Sequence, residues 1–391
     1  MSVRPTLIYR FYLYRALVAE GFVYPIITIY ALAQGLNLDD IGLATGAFFL
    51  GILLGEIPTG YIGDRIGRRN SLVLGSIVIS LTHVGFALAD TLLVFVGLYA
   101  FWGFASTFRS GSADAWLYDI LAERDAAETY THIRGRASSA FYASAATTAL
   151  IGGILYEIHP SFPFLAAAGV TALAALVVAT LPEPGVTQES DGFSLGEARA
   201  ALGTVVSNRR IGIFVVLSAI VLAVPETIEI FVQPVMLDMG VRPAMLGPLY
   251  AGLMAVAAIG SSQANVIKQR FGTARWFTIG SVGLAVVLVF AVALPVVAVL
   301  AFFLGRGVNT ATDTLGSTFL NDLIEPHGRA TALSGVSMVY ALVFFLARAV
   351  SGAVASVTSP LAALAVFGCL ASVALIGIRS VADPFVDRAS E

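Results

Sequence analysis

The sequence predicts an all-α membrane protein: twelve transmembrane helices in two six-helix bundles related by pseudo-two-fold symmetry. Three observations predict it. Of the 391 residues, 58% are hydrophobic and only 12% are charged, about half the charged share of a soluble domain. Apolar stretches of about 20 residues, each able to cross about 30 Å of hydrocarbon as a helix, recur from end to end. Charged landmarks in the first half also return, in register, in the second.

The spans run over 7–34, 39–62, 70–89, 91–122, 130–156 and 161–181, then over 209–237, 244–268, 275–294, 296–324, 328–354 and 359–379. The first is too long and too interrupted for a cleavable signal peptide, so it reads as a helix. Three regions follow: a first bundle over 1–181, a cytoplasmic linker over 182–208 and a second bundle over 209–391. The linker opens on Pro, Gly and acid, a loop composition. Ser194 and Glu197 then have capping-box spacing ahead of Ala198–Val206, which predicts a short amphipathic helix on the inner membrane surface.

Orientation follows from the basic residues. An even number of crossings puts both termini on one side. With the termini in the cytoplasm, 17 of the 22 Lys and Arg fall in the termini, inner loops or adjoining helix ends. Arg15, Arg109, Arg306 and Arg348 lie within spans, and Arg242 sits in an outer loop. The expected location is the cytoplasmic membrane. The net charge of −3 marks no nucleic-acid partner, and the lone Cys369 rules out an internal disulfide. A packing role is expected for Cys369.

The halves repeat. RIG at 65–67 lies over RFG at 270–272, a shift of about 205 residues. AWLYDIL (115–121) lies over TFLNDLI (318–324), and GRASS (135–139) meets GRATA (328–332) soon after. Chance likeness of apolar runs does not place charges in register. Such repeats mark secondary transporters, whose substrate site lies near the bilayer midplane.

Residues 60–69, GYIGDRIGRR, form the densest charge cluster, between spans 2 and 3. With the twelve spans, the repeat and the central inner loop, this stretch resembles the major facilitator superfamily. The signature of that family in this loop is G-x-x-x-D-R-x-G-R-R, and Gly60, Asp64, Arg65, Gly67, Arg68 and Arg69 match its fixed positions. The resemblance implies the superfamily fold and a conformational latch closing the inner side. Asp64 would face the N-terminus of span 11, where unsatisfied N–H groups favour an anion. Arg68 or Arg69 would reach Asp119. The alternative is that these arginines only anchor topology. The second copy, KQRFG at 268–272, has Gln269 in place of Asp64, so the latch should be lopsided.

The chain departs from drug–proton antiporters of that family. Gly152–Gly153 keeps the end of their span-5 G-P-x-x-G-G motif, but Thr148–Ala149 replaces its Gly-Pro. The family arginine of span 4 falls on Tyr99. FRSGSADAWLYD (108–119) instead resembles a broad group of prokaryotic permeases, which implies fold and topology but no substrate.

A charge at bilayer depth costs a few kcal/mol and is a functional candidate by default. Glu20, in span 1, and Glu226, in span 7, lie near mid-depth at nearly equivalent points of the repeat. Pro225 should kink span 7 there, and Glu229 shares a face with Glu226. Poor hydration disfavours the charged form of a carboxylate, so these residues are candidates for proton coupling. Arg109 joins them as a cavity candidate. Arg306 either binds an anionic group or pairs with a nearby acid. Arg15, Glu56 and Asp114, with Arg109, lie nearer the inner side and read as a paired network stiffening the first bundle. Tyr24, Tyr30, Tyr99, Trp102, Trp116 and Tyr142 could line the cavity, although most aromatics in such a chain face lipid or core.

His83, His132, His159 and His327 have no metal-ligand spacing, and neither a nucleotide-binding loop nor G-x-S-x-G is present. No cofactor, metal or enzymatic activity is therefore expected. The reading is a monomeric secondary transporter of a small organic solute, proton-coupled and exporting. Uptake by symport is the alternative within that class, and a transport-inactive sensor or scaffold is the alternative outside it.

Overall fold

Inside a bilayer each apolar run has to satisfy its own backbone polar groups, and the runs here do so as helices. The computed structural model describes residues 5–185, 196, 203, 205–324 and 329–386, apart from the side chains of Ile57, Asp64, Arg329, Ala330 and Thr331. The linker helix expected at 198–206 and its Ser194–Glu197 cap lie largely outside these residues.

In the first half of the chain the helices are α1 (Pro5–Leu17), α2 (Ile27–Ala33), α3 (Leu38–Ile66), α4 (Arg68–Ala87), α5 (Leu92–Ala122), α6 (Tyr130–Ile158) and α7 (Phe162–Ala179). In the second half they are α8 (Arg209–Asp238), α9 (Pro243–Ser262), α10 (Ala264–Phe271), α11 (Thr273–Ala293), α12 (Val297–Leu323), α13 (Arg329–Val357) and α14 (Pro360–Val381). Ten helices among the described residues are long and apolar enough to cross a membrane. The other two expected spans are α1 with α2, and α12, which carries Arg306 and Asp313 along its length.

Two expectations change here. Span 1 is not one helix: it breaks over residues 18–26, and Glu20 takes a left-handed φ of 42°. Pro25 has no N–H to continue the ladder, and its ring would clash with the carbonyl four residues back. Gly21 lies against α6, where any side chain would overlap the Ala145 carbonyl. In contrast, α8 runs unbroken through Pro225 and Pro234. The repeat is therefore broken in its first copy, whereas the second copy stays helical through both prolines.

The charge-rich stretch at 60–69 also differs from a loop. Helix α3 continues through Asp64 and Arg65 to Ile66, and the turn is Gly67 alone, at φ 92°. Its amide donates to the Gly63 carbonyl at 2.9 Å, and its carbonyl accepts from the Ser71 amide at 3.0 Å. Gly272, between α10 and α11, repeats this turn at φ 75°, with bonds from its amide to the Lys268 carbonyl and from the Trp276 amide to its carbonyl. Only glycine adopts such φ values at little cost.

The chain divides into two compact units. The first comprises residues 1–35, 47–193 and 242–251, and the second comprises 36–46, 194–241 and 252–391. Each unit thus includes a short segment from the opposite half of the sequence. In the first unit, Glu157 holds the incoming segment by accepting from the Ala244 amide at 3.2 Å and pairing with Arg242 at 3.5 Å. In the second, Gly42 meets Gly352, and a side chain on Gly42 would lie 2.8 Å from the Gly352 Cα.

The first unit packs Phe11, Tyr14, Leu72, Trp116, Leu117 and Val178 into one apolar cluster. The second packs Phe214, Phe277, Leu320, Val336 and Leu375 into another. Cys369 lies exposed on α14 rather than packed.

Candidate functional site

The break after α1 places Glu20 against α5. One carboxylate oxygen accepts from Arg109 Nη1 at 2.7 Å, and the other accepts from Trp102 Nε1 at 3.0 Å. Arg109 Nη2 donates to the Val18 carbonyl, which the break has left without a helical donor. Trp102 and Arg109 are seven residues, two helical turns, apart on α5 and so share a face. The Glu20 side chain is only 6% exposed. His83 is fully buried, with its ring edge-on to Trp102 at 5.3 Å. The sequence named Trp102 only as a possible cavity aromatic. Its indole N–H, the one donor that side chain has, is what fixes the second oxygen of Glu20.

In the second unit, α8, α12 and α13 bring four charges together. Glu226 and Glu229 share a face of α8, as their spacing predicts. Arg348 of α13 lies between them, 3.1 Å from Glu226 and 3.4 Å from Glu229. Arg306 of α12 pairs with Glu229 at 2.7 Å, and Asn309 donates to Glu226 at 3.4 Å. The result is a linear order, Glu226–Arg348–Glu229–Arg306, whose charges cancel. Exposure along it is uneven: the Glu226, Arg348, Glu229 and Arg306 side chains are 20%, 9%, 42% and 28% exposed. Arg348 and Asn309 are the residues that sequence reasoning missed as members. Arg348 was visible as a membrane-depth charge, but which carboxylate it would meet depends on helix rotation.

The network expected among Arg15, Glu56, Arg109 and Asp114 is not what the structure holds. Arg109 belongs to Glu20. Asp114 pairs with Arg134 of α6 at 2.8 Å, and Arg15 sits over the Phe141 ring at 5.3 Å. Glu56 has no ion pair among the described residues. Depth along a helix had grouped these four; Arg15 stays within electrostatic reach of Arg109 and Asp114 but makes no salt bridge among the described residues.

Where α3 ends, α4 begins and α5 ends, Arg68 pairs with Asp119 at 3.5 Å. Arg69 turns instead to the segment after α7. Its amide donates to Glu183 at 3.2 Å, its guanidinium lies 3.6 Å from the same carboxylate, and Nη1 donates to the Leu181 carbonyl. Trp116 Nε1 donates to Pro182, and the Gly185 amide donates to Glu123. A carboxylate thereby caps the N-terminus of α4, which favours negative charge. Gly67 is confined by the same contact, since a side chain there would meet Glu183 at 2.5 Å. Arg65 stacks on Tyr61 at 4.4 Å. Gly60 has open space where a side chain would go, so close approach is not its role. The Asp64 side chain lies outside the described residues.

Comparison with known proteins places this geometry in context. A family model described as Major Facilitator Superfamily matches residues 16–264. The uncharacterized MFS-type transporter YxaM of Bacillus subtilis is 23% identical over 250 residues, covering 62% of this chain and 61% of that one. The quinolone resistance protein NorA of Staphylococcus aureus is 22% identical over 173 residues, 44% of each chain. The chain thus spans about three fifths or less of the length of these relatives. Among solved structures, a point variant of the nucleoside transporter NupG superposes with a TM-score of 0.81 at 16% identity, covering 95% of this chain and 99% of that one.

Proposed function

The chain belongs to the Major Facilitator Superfamily, and we propose that it exports a small organic solute across the cytoplasmic membrane by proton-coupled alternating access. It is a multi-pass membrane transporter and not an enzyme. Cytoplasmic termini and a monomeric state belong to the same proposal.

The observation that supports coupling is the order Glu226–Arg348–Glu229–Arg306. A proton on Glu226 removes one of the two carboxylates holding Arg348. Arg348 then draws closer to Glu229, already 3.4 Å away, and weakens the hold of Glu229 on Arg306. The proton enters at Glu226, and Arg306 at the other end responds. A group of four charges that cancel becomes a group with one positive charge in excess, which is costly at membrane depth.

The sign of that excess relates transport direction to substrate charge. A substrate carrying a cationic group competes with the proton for these carboxylates, which gives antiport. An anionic substrate is drawn to Arg306, held less tightly by Glu229, and binds with the proton, which gives symport and uptake. The likeness to a quinolone resistance protein favours the first.

The test is reconstitution of Glu226→Gln in liposomes. The substitution keeps volume and hydrogen bonding but fixes the neutral form. Transport driven by a pH gradient should collapse, while exchange of substrate against substrate persists. Normal pH-driven transport in the variant would sink the assignment, and loss of both activities together would make Glu226 a binding residue only.

A further inference from the structure

Two ion pairs at membrane depth share one length and differ in setting. Glu20 and Arg109 meet at 2.7 Å with side chains only 6% and 15% exposed, whereas Glu229 and Arg306, also at 2.7 Å, are 42% and 28% exposed. The first pair is sealed within its unit. The second stays open, and a charge at membrane depth opens only toward a water-filled space. It therefore offers a ligand one accessible anion and one accessible cation side by side.

We propose that Glu229 and Arg306 recognise a zwitterionic, amino-acid-like substrate, its ammonium pairing with Glu229 and its carboxylate with Arg306. This names the substrate class of the transport reading above and rests on that reading. Electrostatic balance carries the assignment. The charges of Glu226, Arg348, Glu229 and Arg306 cancel, so a cationic or anionic ligand adds an uncompensated charge at membrane depth, which is costly. A zwitterion adds none. Geometry agrees: in an α-amino acid the ammonium nitrogen and the nearer carboxylate oxygen lie about 3 Å apart across one carbon, and the protein presents its opposite charges at 2.7 Å. Laid antiparallel on the pair, the ligand makes two ion pairs without pulling the first apart. Both groups have capacity beyond their own pair. Glu229 accepts from Arg306 at one oxygen and from Arg348 at the other, which fills two of the about four lone-pair positions on a carboxylate. Arg306 meets Glu229 through Nη1, one arm of a planar, multiple-donor guanidinium.

The ammonium then competes with Arg348, 3.4 Å from Glu229. Arg348 turns to Glu229 when Glu226 is protonated, so the proton expels the cationic end of the ligand. Phe344 bears on the rest of the ligand. It lies one turn from Arg348 on the same face of α13, is only partly buried, and packs its ring 5.7 Å from that of Tyr340. An aromatic surface next to the charges suits a zwitterion with an apolar, ring-bearing body.

The test is a ligand series on purified transporter in detergent, at one fixed pH and without a gradient, with melting temperature recorded. The probes are L-phenylalanine, phenethylamine and 3-phenylpropanoate, which share one body and differ in their charged groups. L-Phenylalanine should stabilise saturably, with an apparent Kd about tenfold or more below those of the amine and the acid. Glu229→Gln should erase its advantage over the acid, and Arg306→Gln its advantage over the amine. Should either variant fail to fold, the three ligands on the parent protein still decide. An amine or acid that binds as tightly as L-phenylalanine would overturn the assignment. So would no stabilisation by L-phenylalanine, or an advantage unchanged in both variants. Coupling is judged separately: if L-phenylalanine binds as expected but its transport in liposomes ignores a pH gradient, the proton reading falls and the substrate class stands.

Discussion

Glu20 and Glu226 looked equivalent as residues, and their surroundings now separate them. Glu20 is buried and held at both oxygens, by Arg109 and by Trp102. Removing one partner of a buried ion pair costs about 3–5 kcal/mol, because the other charge is left uncompensated. Glu20→Gln should therefore lower the melting temperature and yield strongly, as measured by thermal unfolding in detergent. Glu226→Gln, which leaves Arg348 with Glu229, should lower them much less. A Glu20→Gln protein that melts like the parent but has lost coupling would transfer the coupling role to Glu20. Sequence alone made both carboxylates visible, since any acid at mid-depth stands out against 58% hydrophobic residues. Their partners were hidden because the repeat fixes depth but leaves rotation about each helix open. Asp114 shows the same limit: it lies five residues from Arg109 on α5 and turns to Arg134 of α6.

Among the elements, the single-residue turns at Gly67 and Gly272 form a matched pair for experiment. They take φ of 92° and 75°, a conformation costing a non-glycine residue about 1 kcal/mol or more. At Gly272 an added methyl group meets open space, whereas at Gly67 it meets the Glu183 carboxylate. Gly67→Ala should thus destabilise more than Gly272→Ala, and Glu183→Ala should bring the two losses closer together. Differential scanning fluorimetry of these variants would settle it, and equal losses with Glu183 in place would remove the steric part of the account. The glycines were legible as turn makers, and the 205-residue register between them was legible too. The role of Glu183 was not, because LPEPG reads as a plain loop until Arg69 is seen to reach it. Arg68–Asp119, partly exposed, should contribute under about 1 kcal/mol, so Asp119→Asn should leave melting nearly unchanged. A large drop in its melting temperature would mean that Asp119 is buried more deeply than the pair suggests.

For the whole molecule, helix number and termini stand or fall together. A reporter that fluoresces only in the cytoplasm should light up when fused after Glu391, and one active only outside should work when inserted at Pro160. Failure of both would undo the proposed orientation. The pattern of apolar runs made the two-bundle layout readable, because a bilayer imposes one length on every crossing. It could not reveal that residues 36–46 belong to the second compact unit and 242–251 to the first. That exchange has a consequence for severed chains. A specific protease site engineered into the linker at 182–208 cuts the polypeptide once, yet each fragment still carries a piece that completes the other unit. The two pieces should migrate as one particle on size exclusion. Made separately in the same cell, they should be found together, and either made alone should be cleared by proteolysis.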